Sequence, residues 1–155
     1  MKLIVTDTRE KKNQHILKYF DSVHMQYATN KLDFGDYSDW EGRGAVVERK
    51  QDIAEIAQNC TRGHDRFRRE LERARSSGRR MVILIEQNRY KDRDKWIHVD
   101  DISDLMLWSS PHTTIRGEKV YRVLRAWCSK YNLDVQFCDK RQTGKKILEI
   151  IYGND

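Results

Sequence analysis

Two short stretches, Leu32-Asp33-Phe34-Gly35-Asp36-Tyr37 and Ala45-Val46-Val47-Glu48-Arg49-Lys50, carry the reading of the whole chain. The second has paired valines and no Gly or Pro, which predicts a strand. Side chains alternate along a strand, so Glu48 and Lys50 share one face and Arg49 takes the other. Between the stretches, Glu41-Gly42-Arg43-Gly44 marks a hairpin-like turn that folds Ala45–Lys50 back on Tyr37–Trp40. Asp36 then stands at the edge of the neighbouring strand. Asp52 follows as the N-cap of a helix whose inner face is Ile53, Ile56 and Ala57.

The pattern extends outward from this centre. Leu3–Thr6 is a wholly apolar run and reads as a buried strand. Lys12–Val23 carries Ile16, Leu17, Phe20 and Val23 at helical spacing. Gln26–Leu32 reads as extended. Thr61-Arg62-Gly63 separates the Asp52-capped helix from a second helix, His64–Ser76, with Phe67, Leu71 and Ala74 inside, and Ser77-Gly78 ends it. Met81–Ile85 is the clearest buried strand. Ile102, Leu105 and Met106 suggest a short helix. Glu118–Tyr131 is a long helix burying Val120, Val123, Leu124 and Trp127. Val135–Phe137 is a further strand, and Thr143 caps a last helix with Ile147, Leu148 and Ile151 inside. Strands and helices in this order predict an α/β fold, a mixed central sheet flanked by helices on both faces. With 155 residues and one proline, the expectation is one domain over residues 1–155.

Charge narrows the partners. The net charge is +6 with 35% charged residues. Arg62, Arg66, Arg68, Arg69, Arg73, Arg75, Arg79 and Arg80 fall within one short segment. Such a density of guanidinium groups suits phosphates, and Arg62, His64, Arg66, Arg69 and Arg73 are the candidate DNA contacts. The alternative is a solvated helix face of Glu/Arg pairs. The three cysteines, Cys60, Cys128 and Cys138, are dispersed and odd in number, which fits buried thiols in a reducing compartment. The apolar run at the N-terminus is too short for a signal peptide or a membrane span, so no membrane partner is expected. The five histidines show no metal-ligand spacing. Trp127 sits on an amphipathic face and reads as core. Trp96 and Trp108 lie in the less regular region Arg89–Gly117, which is either a substrate-binding flap or an irregular connection.

Two carboxylates and a lysine converging at one strand pair suit phosphodiester hydrolysis. Asp36 and Glu48 can hold a hard divalent cation, Mg2+ or Mn2+, through oxygen. Lys50 can orient water or stabilise charge on the phosphate. A Glu-x-Lys alone is usually a solvated charge pair; the two preceding valines, the capped helix after it and the upstream Gly-Asp raise its meaning.

The pattern is the acidic-x-Lys signature of PD-(D/E)xK nucleases, and three further matches resemble the XPF-type structure-specific nuclease domain. Val5-Thr6-Asp7-Thr8-Arg9-Glu10 is similar to its opening strand and Asp-x-Arg-Glu. Leu32–Tyr37 resembles its Leu-x-x-Gly-Asp-Tyr, and Val47–Lys50 its Glu-Arg-Lys. The C-terminal half, with Lys130-Tyr131-Asn132-Leu133, Phe137-Cys138-Asp139-Lys140 and Thr143-Gly144-Lys145, looks like short phage and prophage members. The resemblance implies a restriction-endonuclease-like fold and a metal-dependent DNA endonuclease acting on branched or partly single-stranded DNA. It implies a homodimer, and a place in the cytoplasm of a bacterial or phage-infected cell or on its nucleoid. It adds Asp7 as a further active-site carboxylate, Glu10 near the metal, and Arg49 as a functional member of the triplet, although strand alternation turns Arg49 away from Lys50. Two positions depart: Ala54 stands where the signature continues to an aspartate, and His64 where it favours arginine. Ala54 keeps open a weak or inactive DNA-binding subunit, and a restriction-like duplex endonuclease is the third reading.

Overall fold

In the computed structural model, which describes residues 2–153, the two opening stretches meet at the middle of a six-stranded sheet. The strands are β1 (Leu3–Thr6), β2 (Gln26–Thr29), β3 (Tyr37–Asp39), β4 (Val46–Lys50), β5 (Met81–Ile85) and β8 (Leu133–Phe137). Their order is β2-β1-β3-β4-β5-β8. The hairpin strands β3 and β4 are antiparallel, as is β1 with β3; β1–β2, β4–β5 and β5–β8 are parallel. β5 is buried at every residue because parallel neighbours flank it and helices cover both faces, which is why it reads as an unbroken apolar run.

Five helices cover the sheet: α1 (Gln14–Ser22), α2 (Ile53–Asn59), α3 (His64–Ser76), α4 (Gly117–Lys130) and α5 (Thr143–Tyr152). α2, α3 and α4 pack Ile56, Phe67, Leu71, Val120, Leu124 and Trp127 against Val46, Ile83 and Ile85. α1 and α5 pack Ile16, Phe20, Ile147 and Ile151 against Ile4, Val47 and Leu84 on the opposite face. Alternate residues of β4 and β5 therefore feed two separate cores. Each fully buried Leu, Ile or Val contributes about 1.5–3 kcal/mol.

The cap at Asp52 is present: its Oδ1 accepts from the Glu55 amide at 2.8 Å, and Glu55 Oε2 accepts from the Gln51 amide at 3.1 Å. Other expectations need correction. α1 ends at Ser22, and Val23 lies beyond it at 44% exposure. Leu17, Val123 and Leu148 are only partly buried. Met106 is exposed, because the short 3-10 turn stops at Leu105, whose side chain takes the core position. Thr143 does not cap α5. It is the first helical residue, and its hydroxyl donates to the buried Glu86 Oε2 at 2.6 Å instead of capping the helix.

Within Arg89–Gly117 the structure shows a hairpin that the pattern does not predict, β6 (Arg89–Asp92) against β7 (Lys95–His98). Only Tyr90 and Ile97 contribute to the core, and the tip is Arg93 in the left-handed region (φ 58°) rather than Gly or Asn. Trp108 is buried, so it belongs to the core and not to a flap.

Candidate active site

Glu48 and Lys50 lie on the α2–α3 face of β4, one period apart, with Lys50 Nζ 3.1 Å from Glu48 Oε2. Asp36 is brought to them by backbone pairing. Its amide donates to Val47 O at 2.7 Å, its carbonyl accepts from the Asp7 amide at 2.9 Å, and its Oδ2 accepts from the Arg49 amide at 2.8 Å. The turn before it requires glycine. Gly35 has φ +77°, and a Cβ there would lie 2.0 Å from Val46 Cγ1. Asp36, Glu48 and Lys50 face a cleft of about 300 Å³ roofed by α3, also lined by Asp7, Arg9, Asn59, Arg66, Phe67 and Glu70.

The electrostatics follow from burial. Desolvation pushes Glu48 up to about 7, against the pull of Lys50, and the nearby Glu70 adds to the rise. Asp36 is likewise held well above its ordinary value, first by burial and then by the charges of Glu48 and Glu10. Burial works against the Lys50 ammonium, but Glu48 more than offsets it, so Lys50 stays charged, its Nζ 4.8 Å from the Phe67 ring centroid. Two adjacent carboxylates with raised pKa hold extra protons that a cation would displace.

Asp7 reaches the cleft but is already engaged. Its Oδ1 accepts from the Leu32 amide at 2.9 Å, and its Oδ2 accepts from Arg9 Nε at 2.7 Å and the Arg9 amide at 3.2 Å. Burial would raise it; these bonds outweigh burial and hold it below the usual carboxylate range. Glu10 and Arg49 are not in the cleft. They meet on the opposite face of β4, where Arg49 Nε donates to Glu10 Oε2 at 2.9 Å and Nη2 to Lys11 O at 2.6 Å. Arg49 Nη1 donates to Glu86, which also accepts from Thr143, contacts His15 Nε2 at 2.6 Å and is held low; the Tyr37 hydroxyl donates to Glu10.

Arg66, Arg69 and Arg73 are exposed at helical spacing on α3, one stripe beside the buried Phe67–Leu71–Ala74 face, and Arg62 is exposed in the turn before the helix. Arg66 lines the cleft, and Arg73 donates from Nε to Asp33 O at 3.2 Å. His64 instead packs against Trp127, ring centroids 5.3 Å apart. Ala54 packs against the core.

Two cleft residues escaped the sequence reading. Glu70 Oε1 accepts from the Gly35 amide at 2.8 Å and so ties α3 to the turn that presents Asp36; an acid directly after Arg68-Arg69, next to the buried Leu71, was the available signal. Asn59 Oδ1 is buried without a hydrogen-bond partner among the described residues, and no sequence signal marks it. Among the described residues no three His, Cys, Asp or Glu side chains form a ready cation cage, and no helix is long and apolar enough to cross a membrane.

The ERCC4 domain model matches residues 6–151 of the chain. No curated protein matches it. Among solved structures, XPF from Aeropyrum pernix superposes with a TM-score of 0.68 at 17% identity, covering 96% of this chain and 62% of that one. The same protein in complex with DNA gives a TM-score of 0.68 at 17% identity, covering 97% and 64%. This chain thus spans less than two thirds of the length of those XPF chains.

Proposed function

Because the chain belongs to the ERCC4 domain family, we propose that it is a divalent-metal-dependent DNA endonuclease acting on branched or partly single-stranded DNA. The observation that carries this reading is the convergence of Asp36, Glu48 and Lys50 in one cleft beneath an arginine-striped helix.

The donor set fits a hard cation such as Mg2+ or Mn2+. Asp36 and Glu48 would hold it by oxygen, and with no third protein ligand grouped beside them it would keep waters and take phosphate oxygens. A bound cation supplies Lewis acidity and acidifies its water. The chain's residues do the rest. Arg66, Arg69 and Arg73 along α3, with Arg62 in the turn before it, hold backbone phosphates. Lys50, kept charged by Glu48, would orient the attacking water or stabilise negative charge on the scissile phosphate. Asp7 fixes Arg9 and Leu32 at the cleft wall. Glu10 and Arg49 position β4 from behind and do not touch substrate. We also propose that residues 1–155 act as one nuclease unit, as a homodimer, in a DNA-containing cytoplasm or nucleoid; sedimentation equilibrium at micromolar concentration reads the mass.

The test is a panel of plain duplex, 3′ and 5′ flap, fork and four-way junction, with Mg2+, with Mn2+ and with EDTA. Cation-dependent cutting of branched substrates above plain duplex supports the proposal. Equal cutting of plain duplex favours a restriction-like enzyme. Tight fork binding with no cutting in either metal leaves a DNA-binding subunit, the reading that Ala54 favours.

A further inference from the structure

The β6–β7 hairpin carries an outward face that the cleft does not use. Its register pairs Arg89 with His98, Tyr90 with Ile97 and Lys91 with Trp96. Tyr90 and Ile97 turn inward and join the core on the α2–α4 side of the sheet. By alternation Arg89, Lys91, Trp96 and His98 turn outward together, and all four are exposed. Trp96 is 58% exposed. The Arg89 guanidinium lies 4.6 Å and the Lys91 ammonium 5.9 Å from its ring centroid. Among the described residues neither cation has an ion-pair partner, while His98 is held by Asp100 at 2.8 Å.

Four further acidic residues are placed off this face. Asp92 and Asp94 sit at the tip, and Asp101 and Asp104 cap the following 3-10 turn. The outward face therefore presents an indole flanked by two cations, and the carboxylates that adjoin it, Asp100 and Asp139, are engaged by His98 and Arg141.

Its position relative to the cleft is set by the sheet. Lys50 is the register partner of Ile85, and the Glu86 amide donates to Lys50 O at 2.8 Å. From Glu86 to Arg89 the chain can travel at most about 10 Å. The hairpin root thus lies at the Lys50 end of the cleft, on the same side of the sheet.

A duplex keeps its base faces within its own stack, so an exposed indole has nothing to stack on there. An unpaired base offers its face, and its flanking phosphates match the two cations. We infer that the outward face of the β6–β7 hairpin is a second DNA contact, stacking an unpaired base of a single-stranded segment on Trp96 and holding adjacent phosphates with Arg89 and Lys91. This rests on the nuclease reading only in its choice of DNA, and it supplies the preference for partly single-stranded substrate.

Fluorescence anisotropy of the full chain in EDTA, with labelled oligothymidine and with a blunt duplex of equal length, tests it. Trp96→Ala is expected to weaken oligothymidine binding about 5- to 100-fold, the worth of one stacked base, and to change duplex binding less than about twofold. Trp96→Phe recovers most of the loss. A double Arg89→Ser, Lys91→Ser variant, whose side chains are exposed, weakens the single strand and flattens its salt dependence. Unchanged oligothymidine affinity in both variants overturns the inference, as does an equal loss on duplex. A Trp96→Ala chain that sediments at half the wild-type mass also overturns it, since the face would then join copies of this chain. Wild type that binds oligothymidine through Trp96 yet cuts no substrate with Mg2+ or Mn2+ leaves the hairpin contact standing and removes the nuclease reading. Wild type that binds neither DNA overturns both.

Discussion

The two faces of β4 do opposite things with the same kinds of residue. On one, half-buried Asp36 and buried Glu48 lie beside each other with Lys50 as their one ion-pair partner among the described residues, and both carboxyls are pushed up. On the other, Glu10 and Glu86 bracket Arg49, with Thr143, His15, Tyr37 and the Lys11 carbonyl completing the set, and Glu86 is held low. A satisfied network holds strands together; an under-compensated carboxylate pair stores binding capacity for a cation. The difference lies in the partners, since both sets are comparably buried.

Breaking the cleft side should have the largest effect. Glu48→Ala or Lys50→Ala is expected to lower cleavage at least about 1,000-fold in single-turnover assays, in the range for loss of a metal or transition-state contact. Circular dichroism should show the fold retained. Activity within tenfold of wild type would remove Glu48 from the site.

Breaking the opposite face should instead cost stability. Arg49→Ala leaves Glu10 and Glu86 buried without their cation, a loss of about 3–5 kcal/mol. At about 2–4 °C per kcal/mol for a chain of this size, Tm falls by roughly 6–20 °C. An Arg49→Ala chain that melts like wild type would show that face to be dispensable for folding.

The contrast also predicts a pH signature without metal. Glu48 titrates near 7 in the fold, above its ordinary 4.5, and Asp36 is raised as well. For such groups the protonated form is favoured by folding. Their stabilising contribution is fully present below the ordinary carboxylate range and is lost as pH rises through 7. In EDTA, Asp36→Asn should therefore melt a few degrees above wild type at pH 8, with the gap closing toward pH 5. Added Mg2+ should raise the wild-type Tm at pH 8 and leave Asp36→Asn nearly unmoved. A gap that widens toward pH 5 would contradict the raised pair.

The smallest effect concerns the link between α3 and the turn. Glu70→Gln keeps an acceptor for the Gly35 amide and should cut within about threefold of wild type, whereas Glu70→Ala should lose about 10-fold, the scale of one missing hydrogen bond. The Ala variant should also need more Mn2+ for half-maximal cutting. Equal loss in both variants would mean that the Glu70 charge, not the bond, matters.

Much of this site is legible in the residues themselves. Period-two alternation is a local property, so Glu48 and Lys50 share a face before any tertiary contact forms, and Gly35 marks a turn only glycine fits. The Asp52 cap and the α3 apolar stripe are equally local. Illegible were the contacts that depend on strand order. Glu10, Arg49 and Glu86 lie on three separate segments and meet because β1, β3, β4 and β5 are neighbours in that order. Asp7 was readable as a carboxylate at a strand end beside Arg9, but its capture by the Leu32 amide follows from how the β2–β3 connection returns past β1. The β6–β7 hairpin was hidden because its outward residues are polar or solvent-facing and its tip lacks a turn glycine.

By itself, the sequence determined the elements outside the β6–β7 hairpin, the mixed α/β class and the shared face of Glu48 and Lys50, because caps, periodicity and glycine geometry act within a few residues. Only the tertiary structure decided which carboxylates remain uncompensated in the cleft and which are neutralised behind it. Burial and pairing are set by neighbours far away in the chain, and those, not residue type, move a carboxyl up or down.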